Sequence, residues 1–126
     1  MATLNTNVTL TASGVYGSSG ALRVSVSPNF TINGEQKIAT VLQVGSGTQS
    51  LNINNVDKAY VYARNTQTTS GSLIYLKNNA GTTFVTLNAN EWAFFPYEVS
   101  GGGALKAANN ATDSSTYELE LMLMQT

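Results

Sequence analysis

Glu118 and Glu120 stand two residues apart near the C-terminus, and Glu91 and Glu98 bracket the aromatic run Trp92-Ala93-Phe94-Phe95-Pro96-Tyr97. These four carboxylates are the side chains whose spacing could do chemistry. The chemistry would be glycoside hydrolysis, in which one carboxyl protonates the leaving oxygen and another attacks or activates water from across the bond. Glu118 and Glu120 repeat at the strand period of two, so they would stand side by side on one face and not straddle a bond. A solvated strand face that discourages edge-to-edge pairing is the simpler role for them. Nothing in the sequence pairs Glu91 with Glu98. The chain has no His and no Cys, which removes the usual general base, the thiolate nucleophile and the common zinc ligands. The expectation is that this is not an enzyme and has no catalytic residue.

Two oxygen-rich clusters offer hard ligands of the kind calcium takes: Asn52, Asn54, Asn55 and Asp57, and again Asn109, Asn110 and Asp113. Each holds a single carboxylate and neither fits an EF-hand loop. Asn at this density reads more simply as turn chemistry, where the amide stands in for a backbone group. Neither a metal nor a cofactor is expected. The Gly-containing loops Gly14–Gly20 and Gly101–Gly103 lack the Lys and following helix of a phosphate cradle.

The aromatic run has two readings. As a sugar platform it would present Trp92 and Tyr97 beside Asn90 and Glu91. As core, strand alternation would put Trp92 and Phe94 on one sheet face and Phe95 on the other. Tyr97, following Pro96 at the expected end of a strand, is the member most expected at the surface. Tyr16, between Gly14 and Gly17, is a second loop aromatic suited to anchoring a partner. Met122 and Met124 complete the candidate partner-binding set, because Met is enriched at interfaces. Their alternative place is a second core layer.

The elements that must position these residues are strands. Leu22, Val24, Val26, Pro28, Phe30 and Ile32 alternate with Arg23, Ser25, Ser27, Asn29 and Thr31, which predicts one buried and one wet face. Pro28 has no N–H for a ladder, so this arm is expected at a sheet edge or bent. Asn33-Gly34 then predicts a hairpin returning through Ile38, Thr40, Leu42 and Val44. Strands are predicted at Ser50–Ile53, Lys58–Asn65, Leu73–Lys77, Phe84–Leu87, Trp92–Phe95 and Leu105–Ala108. Tyr60 and Tyr62 fall on one face of their strand, with Ala59, Val61 and Ala63 on the other. In Tyr117–Met124, Leu119, Leu121 and Leu123 alternate with Glu118, Glu120, Met122 and Met124, so the outer face passes from acidic to apolar. Thr11–Gly20 reads as an extended arm laid on a neighbour. About nine short strands without helical periodicity predict an all-β, antiparallel β-sandwich or jelly-roll-like domain spanning residues 1–126.

Composition narrows the function class. Charged residues are 10 % of the chain, against about 25 % in an ordinary soluble domain, while Ser, Thr and Asn fill a third of it. With a formal net charge of −1 there is no electrostatic footprint for nucleic acid or an anionic membrane. A surface poor in Lys and Glu resembles protein–protein interfaces, which points to assembly. No disulfide is possible, and residues 1–5 carry neither the basic nor the apolar region of a signal peptide. Synthesis in a cytoplasm is the expectation.

The excess of Thr, Asn, Ser, Gly and Ala resembles small bacteriophage virion proteins. More specifically, Tyr60-Val61-Tyr62-Ala63-Arg64-Asn65, Leu73-Ile74-Tyr75-Leu76 and Phe84 through Phe95, followed by the terminal Tyr117–Met124, are similar to a recurring phage module. In that module a strand ending in Asn and a hydrophobic strand precede a turn carrying Glu and a terminal Glu/Leu-rich strand. The resemblance covers the chain from Tyr60 onward. It implies a non-enzymatic virion protein: a capsid decoration (cement) subunit, or a tail component. It also implies a homo-oligomer, a trimer by preference, bound to the major capsid protein or other virion proteins. The alternative function is a receptor- or glycan-binding β-sandwich of a tail or fibre.

Overall fold

A computed structural model describes residues 2–13, 21–27, 29–32, 37–51, 58–98 and 104–125. Its described residues form strands, turns and bends and no helix. The chain, expected as one domain, clusters into two compact units, Met1–Asn33 and Gly34–Thr126.

The first unit is an antiparallel ribbon. Strands β1 (Ala2–Asn5) and β2 (Val8–Ser13) pair with β4 (Asn29–Ile32) and β3 (Ala21–Val26) respectively. The register is the same in both ladders: Leu4 faces Phe30, and Val8 and Leu10 face Val26 and Val24. The even positions of both arms therefore share one face, which is almost wholly apolar in sequence, and the odd positions carry Thr, Asn and Ser together with Ala21 and Arg23. The ladders stop at Asn5↔Asn29 and resume at Val8↔Val26. Pro28 itself lies outside the described residues.

This pairing corrects the expected hairpin. The Leu22–Ile32 arm pairs with the N-terminal residues, and the return strand β5 (Lys37–Val44) pairs with the C-terminal strand β12 (Tyr117–Gln125). Asn33-Gly34 itself lies outside the described residues.

The second unit is a sandwich of two four-stranded antiparallel sheets. One sheet has the order β10 (Trp92–Glu98), β7 (Lys58–Asn65), β12, β5. The other runs β6 (Gln49–Ser50), β11 (Lys106–Asn109), β8 (Ile74–Lys77), β9 (Thr83–Leu87). The expected β-sandwich is present.

Alternation fills the core. Ala59, Val61 and Ala63 of β7 point inward with Leu119, Leu121 and Leu123 of β12, meeting Ile74, Leu76, Leu87 and Ala107 of the second sheet. In register, Ala63 lies beside Leu121, and Ala59 beside Tyr97. Small residues on the central strand make room for large ones on its neighbours, the size alternation that close packing needs. Phe84 of β9 meets Phe95 edge-on at 5.5 Å and stacks on Tyr97 at 5.9 Å, joining the two sheets along one side.

Candidate functional site

Strand parity that sends Ala and Leu inward on β7 and β12 sends a different set outward. On the outer face of the β10-β7-β12-β5 sheet the residues align in rows. Pro96, Tyr60, Met124 and Lys37 make one row. Phe94, Tyr62, Met122 and Ala39 make the next, and Trp92, Arg64, Glu120 and Val41 the third. Tyr60 stacks on Phe94 at 5.9 Å, and Tyr62 tilts against Trp92 at 6.4 Å. Val41, Trp92 and Met122 remain 52 %, 48 % and 40 % exposed. Burial, then the hydrogen bond and charge of Glu120, pushes the Tyr62 phenol above its ordinary pKa, while Arg64 pulls the other way.

The end of this face where Arg64 and Trp92 stand adjoins two turns built around Asn65, the last residue of β7. Asn65 is wholly buried. Its Nδ2 donates to the carbonyls of Ser72 and Leu87 at 2.8 and 3.0 Å, and its Oδ1 accepts from the Gln67 N–H at 3.1 Å. Its backbone N–H donates to the Glu91 carbonyl and its carbonyl accepts from Asn90 N–H, both at 2.9 Å. One buried amide thus ties the 66–72 loop and the 88–91 turn to the sheet. Between them lies an open hollow of about 250 Å³ lined by Thr68, Ser70, Gly71, Asn88, Ala89 and Asn90. Asn90 has a φ of 65°, a left-handed conformation that Asn tolerates better than most residues. Arg64 Nη2 donates to Asn90 Oδ1 at 3.4 Å, linking the hollow's wall to the outer face.

Glu91 belongs to this turn. Its Oε2 accepts from the Asn88 backbone N–H at 2.8 Å and from Asn88 Nδ2 at 3.0 Å. Those bonds hold its carboxyl below the ordinary pKa. Glu98 ends β10, in register with Lys58. At strand rise, seven residues separate Glu91 from Glu98 by about 23 Å, several times the 5–9.5 Å of a glycosidase pair.

The second Asn-rich cluster is turn chemistry, as the sequence suggests. Asn109, buried, donates from Nδ2 to Val44 and Ser115 carbonyls at 2.7 and 2.9 Å and accepts from the Ala111 N–H at 2.8 Å. Asn110 accepts from Leu73 N–H and donates to the Gly71 carbonyl, at 2.8 and 2.9 Å. Asp113 accepts from Ser115 N–H at 2.8 Å, and the Ser115 hydroxyl first and that backbone bond second hold its carboxyl below the ordinary pKa. Among the described residues no three carboxylates gather where a metal could sit. Asn52, Asn54, Asn55 and Asp57 lie outside the described residues.

The anticipated partner-binding residues separate. Met122 is on the outer face and exposed. Met124 shares its parity but is buried, at 8 % exposure. In register Met122 stands between Tyr62 and Ala39, and Met124 between Tyr60 and Lys37. Tyr97 is also corrected: it is buried at 8 % exposure, points into the core and donates its hydroxyl to the Ala104 carbonyl at 3.4 Å. Burial raises its pKa. The strand does not end at Pro96, because β10 is a sheet edge, where a residue without an N–H is tolerated. Continuing the alternation past Pro96 puts Tyr97 with Phe95. Tyr16 lies outside the described residues. Val41 and the supporting Asn65 are not among the anticipated residues. Val41 alternates visibly with Leu42 and Val44, but the strand beside it is not readable locally. A buried Asn looks in sequence like any surface Asn.

The site therefore offers an aromatic and aliphatic face across its central rows, with Arg64 and Glu120 in the row nearest a small polar hollow. No protein-family model, no curated protein and no solved structure matches the chain.

Proposed function

We propose that this protein is a non-enzymatic virion subunit, a capsid decoration protein that binds an assembled shell and stabilises it. The observation that carries a docking role is the outer sheet face, where Val41, Trp92 and Met122 stand exposed among Tyr60, Tyr62 and Phe94. Contiguous apolar surface of this kind marks protein-binding sites, and its aromatic and Met content is that of interface cores. A free strand edge supports the same reading: β5 is paired with β12 on one side and with no described strand on the other, which suits strand addition by a neighbour. The virion assignment itself rests on the resemblance of the chain from Tyr60 onward to phage proteins.

In this mechanism the face docks on the major capsid protein, and neighbouring copies associate, as trimers by preference. Many copies on one lattice convert modest single contacts into firm retention. The subunit is made in the host cytoplasm and resides on the particle. The test is binding of purified protein to shells that lack it, followed by heating of the loaded and bare particles. Loading should raise the temperature at which shells open. Val41→Glu combined with Met122→Glu, which places two carboxylates on the face without touching the core, should abolish retention. A protein that neither self-associates nor binds any particle overturns the proposal.

A further inference from the structure

We infer that the hollow between the 66–72 loop and the 88–91 turn is a binding site for one neutral sugar ring, with Trp92 as its flanking aromatic surface. At about 250 Å³ the hollow falls just under the ~300 Å³ where small-molecule pockets begin, so it fits a single ring better than an extended chain. Its lining is hydroxyl, amide and backbone, with no side chain more apolar than that of Ala89. An apolar ligand would gain little there, whereas a polyol would find donors and acceptors at close spacing.

Those groups are available. The hydroxyls of Thr68 and Ser70 enter no hydrogen bond among the described residues. Asn88 spends its Nδ2 on Glu91 and keeps its side-chain carbonyl, and Asn90 uses its Oδ1 for Arg64 and keeps its amide nitrogen. The two ionised groups at the border are already engaged, Glu91 by Asn88 and Arg64 by Asn90. No charged side chain lines the hollow, which selects a neutral ligand. Both walls are braced by Asn65, so the site is formed before the ligand arrives.

Trp92 stands two residues beyond Asn90, half-exposed and propped by Tyr62 at 6.4 Å. Its register partner Arg64 is the residue that reaches Asn90. The indole face and the hollow thus share one end of the sandwich, one apolar and one hydrogen-bonding, which matches the two kinds of surface on a pyranose.

The inference does not depend on the docking role. It is tested on the full chain with glucose, galactose, mannose and N-acetylglucosamine, with glycerol as the control. Fluorescence of the only Trp in the chain and backbone amide shifts of Asn88 and Asn90 are the two readouts. At least one sugar should give saturable changes in both, with glycerol giving neither. Trp92→Ala should weaken that sugar by roughly two- to tenfold, the range of aromatic contacts, with Trp92→Phe recovering part of the loss. Ser70→Val, at an exposed position that leaves Asn65 untouched, should weaken it as well. No saturable change with any of the sugars overturns the site. A fluorescence change without shifts at Asn88 and Asn90, unaltered by Ser70→Val, assigns the contact to the indole alone and equally overturns it.

Discussion

The ribbon and the sandwich are written in the same period-two pattern, yet among the described residues only the sandwich unit contains a second sheet of its own to meet its apolar face. In the sandwich, Leu119, Leu121 and Leu123 meet Ile74, Leu76 and Leu87 across the core and are almost wholly buried. In the ribbon, Leu10 falls on the apolar face of the register and remains 55 % exposed. Alternation specifies which residues share a face and leaves open what covers that face. A two-stranded ribbon is at best marginally stable alone in water. Its stability must therefore be judged separately from that of the sandwich.

One substitution made in both regions should separate them most. Leu121→Ala should cost about 2–5 kcal/mol, because it removes a fully packed side chain and leaves a cavity. Leu10→Ala, the same chemistry at a half-exposed position, should stay within about 0.5 kcal/mol. Chemical denaturation of both variants measures the contrast. Equal losses would mean that Leu10 is covered in solution as Leu121 is.

Next in size are the two buried asparagines. Asn65→Ala strands the carbonyls of Ser72 and Leu87, and Asn109→Ala strands those of Val44 and Ser115. A carbonyl left unsatisfied in a buried place costs about 1–3 kcal/mol, so Asn65→Ala, which loses two buried bonds, should cost about 2–4 kcal/mol, and Asn109→Ala, whose bond to the exposed Ser115 is only part-buried, about 1–3 kcal/mol. They should differ in reach. Asn65→Ala should broaden the amide signals of residues 66–72 and 88–91, while Asn109→Ala should disturb 111–115 and spare the hollow. A merely local effect at either Asn would remove its role as a brace.

Much of the sandwich was legible because its strands carry their partners' complement in period two. Lys58–Asn65 and Tyr117–Met124 lie where alternation puts them, with the Tyr60 and Tyr62 faces assigned correctly. The N-terminal strands were not legible: Ala2–Ser13 is rich in Thr and Asn, with Leu4, Val8 and Leu10 its only large apolar residues. With that partner hidden, Asn33-Gly34 offered the Leu22–Ile32 arm the wrong one. A turn signal brings two strands near each other, but pairing is decided by which ladder buries more, and that is a long-range property. At the site, parity correctly put Trp92 and Phe94 on one face, and misreading Pro96 as a strand end misplaced Tyr97. The buried roles of Asn65 and Asn109 depend on which loops fold over them, and no local pattern encodes that.

Hydrogen exchange should distinguish the two units by a smaller effect. Ribbon amides in Val8–Ser13 and Ala21–Val26 have a ladder on one side only among the described strands. They should exchange at lower opening free energy than those of Val61, Ala63 and Leu121, which sit in central strands and approach the global limit. If purified oligomers form, the ribbon amides are the ones whose protection should rise with protein concentration. Uniform protection across both units would mean that they open as one.

The smallest expected effect separates the hollow from the core behind it. Glu91 is an exposed carboxyl held below its ordinary value of 4.5 by the Asn88 backbone and side-chain amides. For a carboxylate lowered in the folded state, the bonds contribute fully above the unfolded pKa and are lost as pH falls through the folded one. The 88–91 turn should therefore loosen only below the ordinary glutamate range, while Asn65, which does not titrate, keeps the strand end in place. Following the Asn88 amide shift from neutral pH downward should give a midpoint below 4.5, absent in Glu91→Gln. Far-ultraviolet dichroism should stay constant through that step. A midpoint at or above the ordinary value would show that the Asn88–Glu91 bonds do not persist in solution, and with them would go the fixed geometry of the hollow's 88–91 wall.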